Sequence, residues 1–442
     1  MPNPYLPTWE YVPDGEPHVF GDRVYIYGSH DIPASDHFCD YRLKVWSASV
    51  HDLSHWTCHG DIFRTRDTRD YPKDIAWTNQ LLYAPDVVQK GDKYYLYAYI
   101  VDSKGCVAVA DRPEGPFEFL STYQYTIDDS LCDHGQFIDP GVLVDDDGKV
   151  YIYCGYTHSY AAQINEENMY EIIDNTFQPD ILPALPPEEP AGFFEAPSPR
   201  KINDTYYLIY SPNKGSRLAY ATSKSPLGPY TYRGYIIDNS DHYPAGNNHG
   251  SLCNINGQWY IFYHRMTNQS LMSRRGCVEP VEILEDGTIP NVEMTSLGFS
   301  KSLNPFEPTP AELACYLTGN CFITEINLFQ RIITNIQHNS VIGYRYYDFG
   351  EQPTTKTMKF HAHIRGTGCR AFIHICLDKP DLNHEIGKCQ IGTDSQLVSC
   401  ITNTVSGRHA LFLLVEQDYS GSLVGCFEGR NLFDLEQFVF TL

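Results

Sequence analysis

The chain has 442 residues, 42% of them hydrophobic and 20% charged, enough for two or three domains with a sizeable core, which excludes wholesale disorder. Asp plus Glu number 55 against 32 Lys plus Arg, a net charge of −23, which argues against nucleic acid and anionic membrane as partners. The 33 Tyr, 32 Gly and 29 Pro favour β-structure with many turns over a helical bundle.

The N-terminal Met1-Pro2-Asn3-Pro4 has neither a basic n-region nor an apolar h-region, and the first basic residue is Arg23. No apolar run approaches the ~18 residues of a membrane span. The 14 Cys are scattered, without a C-x-x-C pair. Disulfide frameworks belong to short secreted chains, so the expectation is free thiols and a cytoplasmic protein. The competing reading is a secreted protein stripped of its signal.

Five turn-plus-strand units follow in chain order. Val24-Tyr25-Ile26-Tyr27 follows Gly21-Asp22, and Tyr94-Tyr95-Leu96-Tyr97 follows Gly91-Asp92-Lys93. Val150-Tyr151-Ile152-Tyr153 follows Asp147-Gly148-Lys149. Tyr206 to Tyr210 follows Asn203-Asp204-Thr205, and Trp259 to Tyr263 follows Asn256-Gly257-Gln258. A short apolar strand precedes each, so the pattern predicts five hairpins with tight Gly/Asx turns. The intervals leave room for two more strands per unit, such as Gly105 to Ala110 and Arg217 to Ala221. Five four-stranded units predict a five-bladed β-propeller; the bland alternative is an irregular β-sandwich. The pattern stops near Asp286-Gly287, so the propeller is assigned to residues 1–300. Leu303-Asn304-Pro305-Phe306-Glu307-Pro308-Thr309-Pro310 reads as a Pro-rich linker. Alternating strands at 358–364, 370–375 and 409–415 place a second, jelly-roll-like β-sandwich domain at 311–442.

Three acids stand just before the first strands of units one, three and four: Asp14, Asp139 and Glu195. The first strand of a propeller blade lines the central axis, so acids at this phase converge on one funnel. A single Asp beside Pro or Gly is ordinarily a turn residue; three at one phase of a repeat form a pattern. Glu195, flanked by Phe193, Phe194 and Pro197, suits a carboxyl whose pKa is raised by desolvation, as a general acid requires.

In this order the motifs Asp14-Gly15-Glu16-Pro17-His18-Val19-Phe20, Tyr25-Ile26-Tyr27-Gly28-Ser29-His30-Asp31, Tyr83-Ala84-Pro85-Asp86-Val87, Ile138-Asp139-Pro140, Phe194-Glu195-Ala196-Pro197 and Asn248-His249-Gly250-Ser251 resemble glycoside hydrolase family 43. That family comprises five-bladed propellers acting as β-xylosidases, α-L-arabinofuranosidases and arabinanases, and the likeness covers about residues 3 to 290. The resemblance implies an inverting glycosidase that releases terminal xylose or arabinose from oligosaccharides. Asp14 would be the base, Glu195 the acid and Asp139 the residue that tunes the acid by its charge. One departure leaves the base open: matching on the acid-Pro pair selects Glu16, whereas matching on the distance to His18-Val19-Phe20 selects Asp14.

Trp77 and Phe194 are candidates for stacking on a sugar ring, against a role in blade packing. Arg274 and Asp86 are candidates for binding sugar hydroxyls, against a surface and a structural role. His249 resembles the family's axial histidine and is the expected ligand of a calcium ion in the central channel. The C-terminal segment Val341 to Gly350 resembles the sandwich appended to some members, akin to family-6 carbohydrate-binding modules, with packing against the propeller as its expected role. A non-catalytic carbohydrate-binding propeller is the alternative; it requires one of the three acids to be missing, and none is. P-loop, G-x-G-x-x-G and G-x-S-x-G motifs are absent.

Overall fold

A computed structural model describes residues 1–101, 104–123, 138–183, 185, 189–351, 357–420 and 428–442. The predicted hairpins form where Gly21, Gly91, Gly148, Asn203 and Gly257 take left-handed φ angles of 62°, 62°, 85°, 53° and 87°, which non-Gly, non-Asx residues seldom adopt. Each hairpin begins an antiparallel sheet. The innermost strands are Glu16–Phe20, Leu82–Lys90, Gly141–Val144, Phe193–Ile202 and Leu252–Ile255. Four sheets have four strands, and the fifth has three, ending in Ser270–Val281. The N-terminal segment runs beside that last strand: Tyr5 N–H donates to Gly276 O at 3.3 Å, and the Asn3 side chain bonds Val278 on both its N–H (2.9 Å) and its C=O (2.8 Å). The two ends of the ring are thus hydrogen-bonded together, and the chain is an all-β five-bladed propeller followed by a sandwich.

The innermost strands crowd one another around the axis. A Cβ on Gly141 would lie 2.1 Å from the Pro197 carbonyl oxygen, so blades three and four meet there only because residue 141 has no side chain. The aromatic second strands pack between blades: Tyr27, Tyr97, Tyr153 and Tyr210 are each fully buried.

The sandwich pairs two sheets. One holds Phe322–Asn327, Gln330–Thr334, Phe433–Thr441, Thr357–Gly366 and Leu397–Asn403; the other holds Tyr316–Thr318, Val341–Asp348, Arg408–Gln417, Ala371–Leu377 and Glu385–Ile391. The segment expected as a linker is instead a packed strap. Leu303 pairs with Tyr346 and Tyr347, and Thr309–Pro310 pairs with Gln437 and Phe438. Prolines do not make a spacer here, because neighbouring backbone groups find partners on the sandwich. One hydrophobic cluster runs from Tyr207, Ile209, Leu252 and Ile261 of blades four and five through Leu297, Leu303 and Ala314 to Tyr344, Phe360 and Phe438 of the sandwich. Ion pairs cross as well: buried Arg275 meets Glu312 at 2.6 Å. The twelve described cysteines are free thiols.

Because the two units share a core, the full chain is expected to unfold in one calorimetric transition, with equal calorimetric and van't Hoff enthalpies. Residues 1–300 expressed alone should lack that transition. Two separated transitions would show that the units are independent.

Candidate active site

Asp14, Ala84, Asp139 and Ala196 begin four successive blades, and all take left-handed backbone angles, with φ of 56°, 35°, 49° and 63°. The residues that follow, Gly15, Pro85, Pro140 and Pro197, continue into the innermost strand. This kink divides the labour. The left-handed residue, or the one before it in blade four, faces a cavity at the end of the axis. The residue two places on from the left-handed one faces the axis itself.

Asp14, Asp139 and Glu195 all line one cavity of about 600 Å³, walled by Phe38, Tyr83, Tyr99, Tyr156, Phe194 and Leu271. Asp14 is buried, and its carboxylate accepts from Arg274 Nη1 at 2.8 Å. Nδ1 atoms of His249 and His264 each lie 3.6 Å from the same oxygen. Burial alone would raise the Asp14 pKa. Arg274 first, then the two histidines and the Ser29 hydroxyl, more than offset it and hold the carboxyl below its usual range. Arg274 is itself gripped from behind: its Nε and Nη2 each donate to Asp31 at 2.9 Å, and its backbone N–H does so at 3.0 Å.

Glu195 sits where the strand Phe193–Ile202 breaks register with its neighbour, in a bulge over Glu195 to Ser198. Its pKa is pushed up to about 7, first by burial and then by the charge of Asp14, against a hydrogen bond from the Asn247 side chain. The Ala196 N–H donates to Asp139, which ties the third acid to the residue after Glu195. Asp139 is pushed well above the ordinary carboxyl range, first by burial and then by the charges of Glu195 and Asp14. Asp14 thus contributes to the rise at Glu195, and burial with the neighbouring carboxyls raises Asp139.

Glu16 and Asp86 belong to the other set. Glu16 Oε2 accepts from Arg200 Nη2 (2.9 Å) and Ser198 Oγ (3.0 Å), and Ser198 Oγ meets Ser251 Oγ at 2.6 Å. Asp86 lies 2.6 Å from His18 Nε2 and accepts the N–H groups of Val87 and Val142, each at 2.7 Å. Neither lines the cavity. Asp86 holds blades one, two and three together at the axis, and the expected role in sugar binding does not fit its place. Arg274 lines the cavity, and its hydrogen bond to Asp14 at 2.8 Å, braced by Asp31, positions that carboxylate. Trp77 is exposed with its ring against Phe119 at 6.4 Å and is not part of the cavity wall. Phe194 is on the wall, its ring 5.1 Å from Tyr156.

His249 is buried between cavity and axis, and burial lowers its pKa, which keeps the imidazole neutral. Its ring makes no hydrogen bond among the described residues, the approach to Asp14 being too long. A neutral imidazole with free nitrogen fits a metal ligand. Glu16, His18 and Asp86 bring one donor atom each within 4.8 Å of one another, a grouping without His249; most of those oxygens already accept protein hydrogen bonds.

Sequence reasoning did not assign Asp31, His264, Asn247, Tyr83, Tyr99, Tyr156 or Leu271. Ser29 and Asp31 stand inside the motif Tyr25 to Asp31, but their use depends on Arg274, which lies 243 positions away from Asp31.

The model of glycosyl hydrolases family 43 matches residues 3–289, and the chain belongs to that family. A xylosidase/arabinosidase of Thermoclostridium stercorarium is 38% identical over 422 residues, covering 82% of this chain and 86% of that one. Among solved structures, a family-43 β-xylosidase/α-arabinofuranosidase from a compost metagenome, in complex with xylotriose and in calcium-free form, is 29% identical with a TM-score of 0.55, over 66% of this chain and 98% of that one. An arabinoxylan arabinofuranohydrolase of Bacillus subtilis, at 22% identity and a TM-score of 0.56, matches 99% of this chain and 97% of its own length, so the fold likeness extends over the sandwich.

The split between cavity and axis is open to measurement. Glu16→Ala leaves the largely buried Arg200 guanidinium without its carboxylate partner, which should lower stability by about 2–3 kcal/mol in urea titration. A loss below about 0.5 kcal/mol, the scale of an ordinary surface change, would contradict the axial assignment.

Proposed function

We propose that the chain is an inverting exo-glycosidase that removes terminal xylose or arabinose from neutral oligosaccharides. The observation that carries this is the opposite treatment of two carboxyls on one cavity. Asp14 is held ionised by Arg274, while Glu195 is lifted to about 7. Inversion needs such a pair: a base that activates water on one face of the sugar, and an acid that protonates the leaving oxygen on the other. Asp14 is the base and Glu195 the acid. Asp139, which accepts the Ala196 N–H, positions the acid. Phe194 and Tyr156 offer ring surface to the sugar bound between the acids.

His249 is the protein donor proposed for a calcium ion, with water as most of the remaining ligands. Such an ion would add positive charge beside Asp14. Chelator should then lower activity in part, calcium should restore it, and His249→Ala should abolish that response. The free thiols are in keeping with a cytoplasmic enzyme, which fractionation of the source cells would test.

Glu195→Gln is expected to lower kcat on xylobiose or an arabino-oligosaccharide by about 10²–10⁴-fold, the usual worth of general acid help. Glycosides with activated leaving groups should lose less. Asp14→Asn should abolish turnover on all substrates, whereas Glu16→Gln should retain part of it; the reverse would move the base to Glu16. Proton NMR of the first-formed sugar should show inverted anomeric configuration, and a retained anomer would refute the scheme.

The pH profile follows from the same two groups. Glu195 must be protonated, so kcat/KM should fall as pH rises through about 7. Asp14 must be ionised, and its depressed pKa keeps it so below the ordinary 3.8 of an aspartate. The acid limb should therefore lie below that value wherever the fold survives. Glu195→Gln should remove the alkaline limb.

A further inference from the structure

Trp9 of the propeller's N-terminal segment and Phe329 of the sandwich form a ring pair to which the chemistry above gives no task. The two rings remain 41% and 69% exposed, and Leu328 beside Phe329 is 59% exposed. Their centroids lie 5.6 Å apart at an interplanar angle of 83°. Isolated exposed apolar side chains are commonplace; a contiguous patch built from two domains marks a contact surface.

Both rings are pre-set. The Glu10 N–H donates to the Pro7 carbonyl at 3.0 Å and closes a turn around Trp9. The Asn327 side chain accepts the Phe329 N–H at 2.9 Å at the tip of the hairpin formed by Phe322–Asn327 and Gln330–Thr334. Buried Tyr11 fastens the two segments: its hydroxyl donates to Glu325 (3.0 Å) and accepts from Arg331 Nε (3.2 Å), and Arg331 pairs with Glu325 at 3.3 Å. Little backbone freedom is left to lose at either turn when a ligand lies on the rings.

Trp9 lies in the segment that leads into Asp14. The Tyr11 carbonyl accepts the Asp31 N–H at 2.9 Å, Asp31 grips Arg274, and Arg274 holds Asp14. On the other flank the turn at Asn268 and Gln269 docks on the sandwich hairpin, Asn268 N–H donating to the Ile323 carbonyl at 2.7 Å. Pairing between Gln258–Thr267 and Ser270–Val281 slips just after that turn, between Met266/Arg274 and Thr267/Ser270. The extra residues put Leu271 on the cavity wall, where it is 47% exposed. Leu271 thus stands on the flank of the cavity where the sandwich hairpin docks.

We infer that Trp9 and Phe329 form a stacking platform for the portion of a neutral oligosaccharide that extends beyond the residue being cleaved, with the sandwich supplying one of its two rings. This rests on the reading of the cavity as a pentosidase site. A sugar ring presents C–H faces that pack on aromatic rings without needing a charge, and the ionic groups of the two segments, Glu10, Glu325 and Arg331, are already paired. The net charge of −23 repels a polyanionic glycan and favours a neutral one.

Phe329→Ala and Trp9→Ala test this, because both rings are exposed on turns and neither touches the acids. Each variant should retain kcat/KM on a nitrophenyl xyloside within about twofold, while KM on xylohexaose rises about fivefold or more with kcat little changed, the pattern of a lost ground-state contact worth a single aromatic interaction. Phe329→Tyr should restore the xylohexaose KM. An unchanged KM on xylohexaose, or an equal loss on the two substrates, overturns the platform and leaves the pentosidase reading intact. A wild-type protein inert on both substrates overturns that reading and the platform with it. If a protein partner covers the rings instead, the variants will match wild type on both substrates, which also counts against the platform.

Discussion

The buried guanidinium of Arg274 is the interaction on which the site depends. It lies between Asp14 and Asp31, with the Phe38 ring 5.0 Å away. A cation buried there without its two carboxylates would be costly, and a buried carboxylate without the cation would take up a proton. With all three in place Asp14 remains an anion inside a largely apolar cavity. That anion is in turn part of what keeps Glu195 protonated near neutral pH. One salt-bridged triad therefore biases the protonation of both groups that inversion requires, while burial first, and then the neighbouring carboxyls, push Asp139 above the ordinary carboxyl range.

The backbone carries a second constraint. A left-handed residue at the mouth of four blades turns one side chain to the cavity and the residue two places on to the axis. Aspartate tolerates this conformation better than most residues, and in two of the four blades it is the reacting or positioning acid itself. The axial set, Glu16, Asp86, Ser198 and Ser251, knits the innermost strands by hydrogen bonds and an ion pair to Arg200. The same phase of the repeat thus yields chemistry on one side of the kink and cohesion on the other.

The sandwich contributes to both stability and shape. Its core is continuous with that of blades four and five, its Glu312 neutralises Arg275 under the site, and its hairpin braces the turn before Leu271. A propeller whose last blade has only three strands gains cover on its outer side from this contact.

The β class, the five repeats, the positions of the hairpins and the three acids were legible in the sequence, because turn chemistry and side-chain alternation are local and recur at a fixed phase. The sandwich strands at 358–364, 370–375 and 409–415 were legible for the same reason and appear as Thr357–Gly366, Ala371–Leu377 and Arg408–Gln417. What the tertiary structure decided was how those residues are shared out. Asp14 and Glu16 are two positions apart in sequence and alike in charge; only the kink between them sends one to the cavity and the other to Arg200. Asp86 and Arg274 both look like ligands for sugar hydroxyls in sequence. Their partners His18, Val142, Asp31 and Asp14 lie on other blades, up to 260 positions away, and no local pattern reports them. The strap at 303–310 has the prolines of a linker, and its packing is determined by sandwich strands that come later in the chain. Local sequence determined which elements form and which chemical groups each carries; long-range packing determined the protonation, partners and direction of those groups.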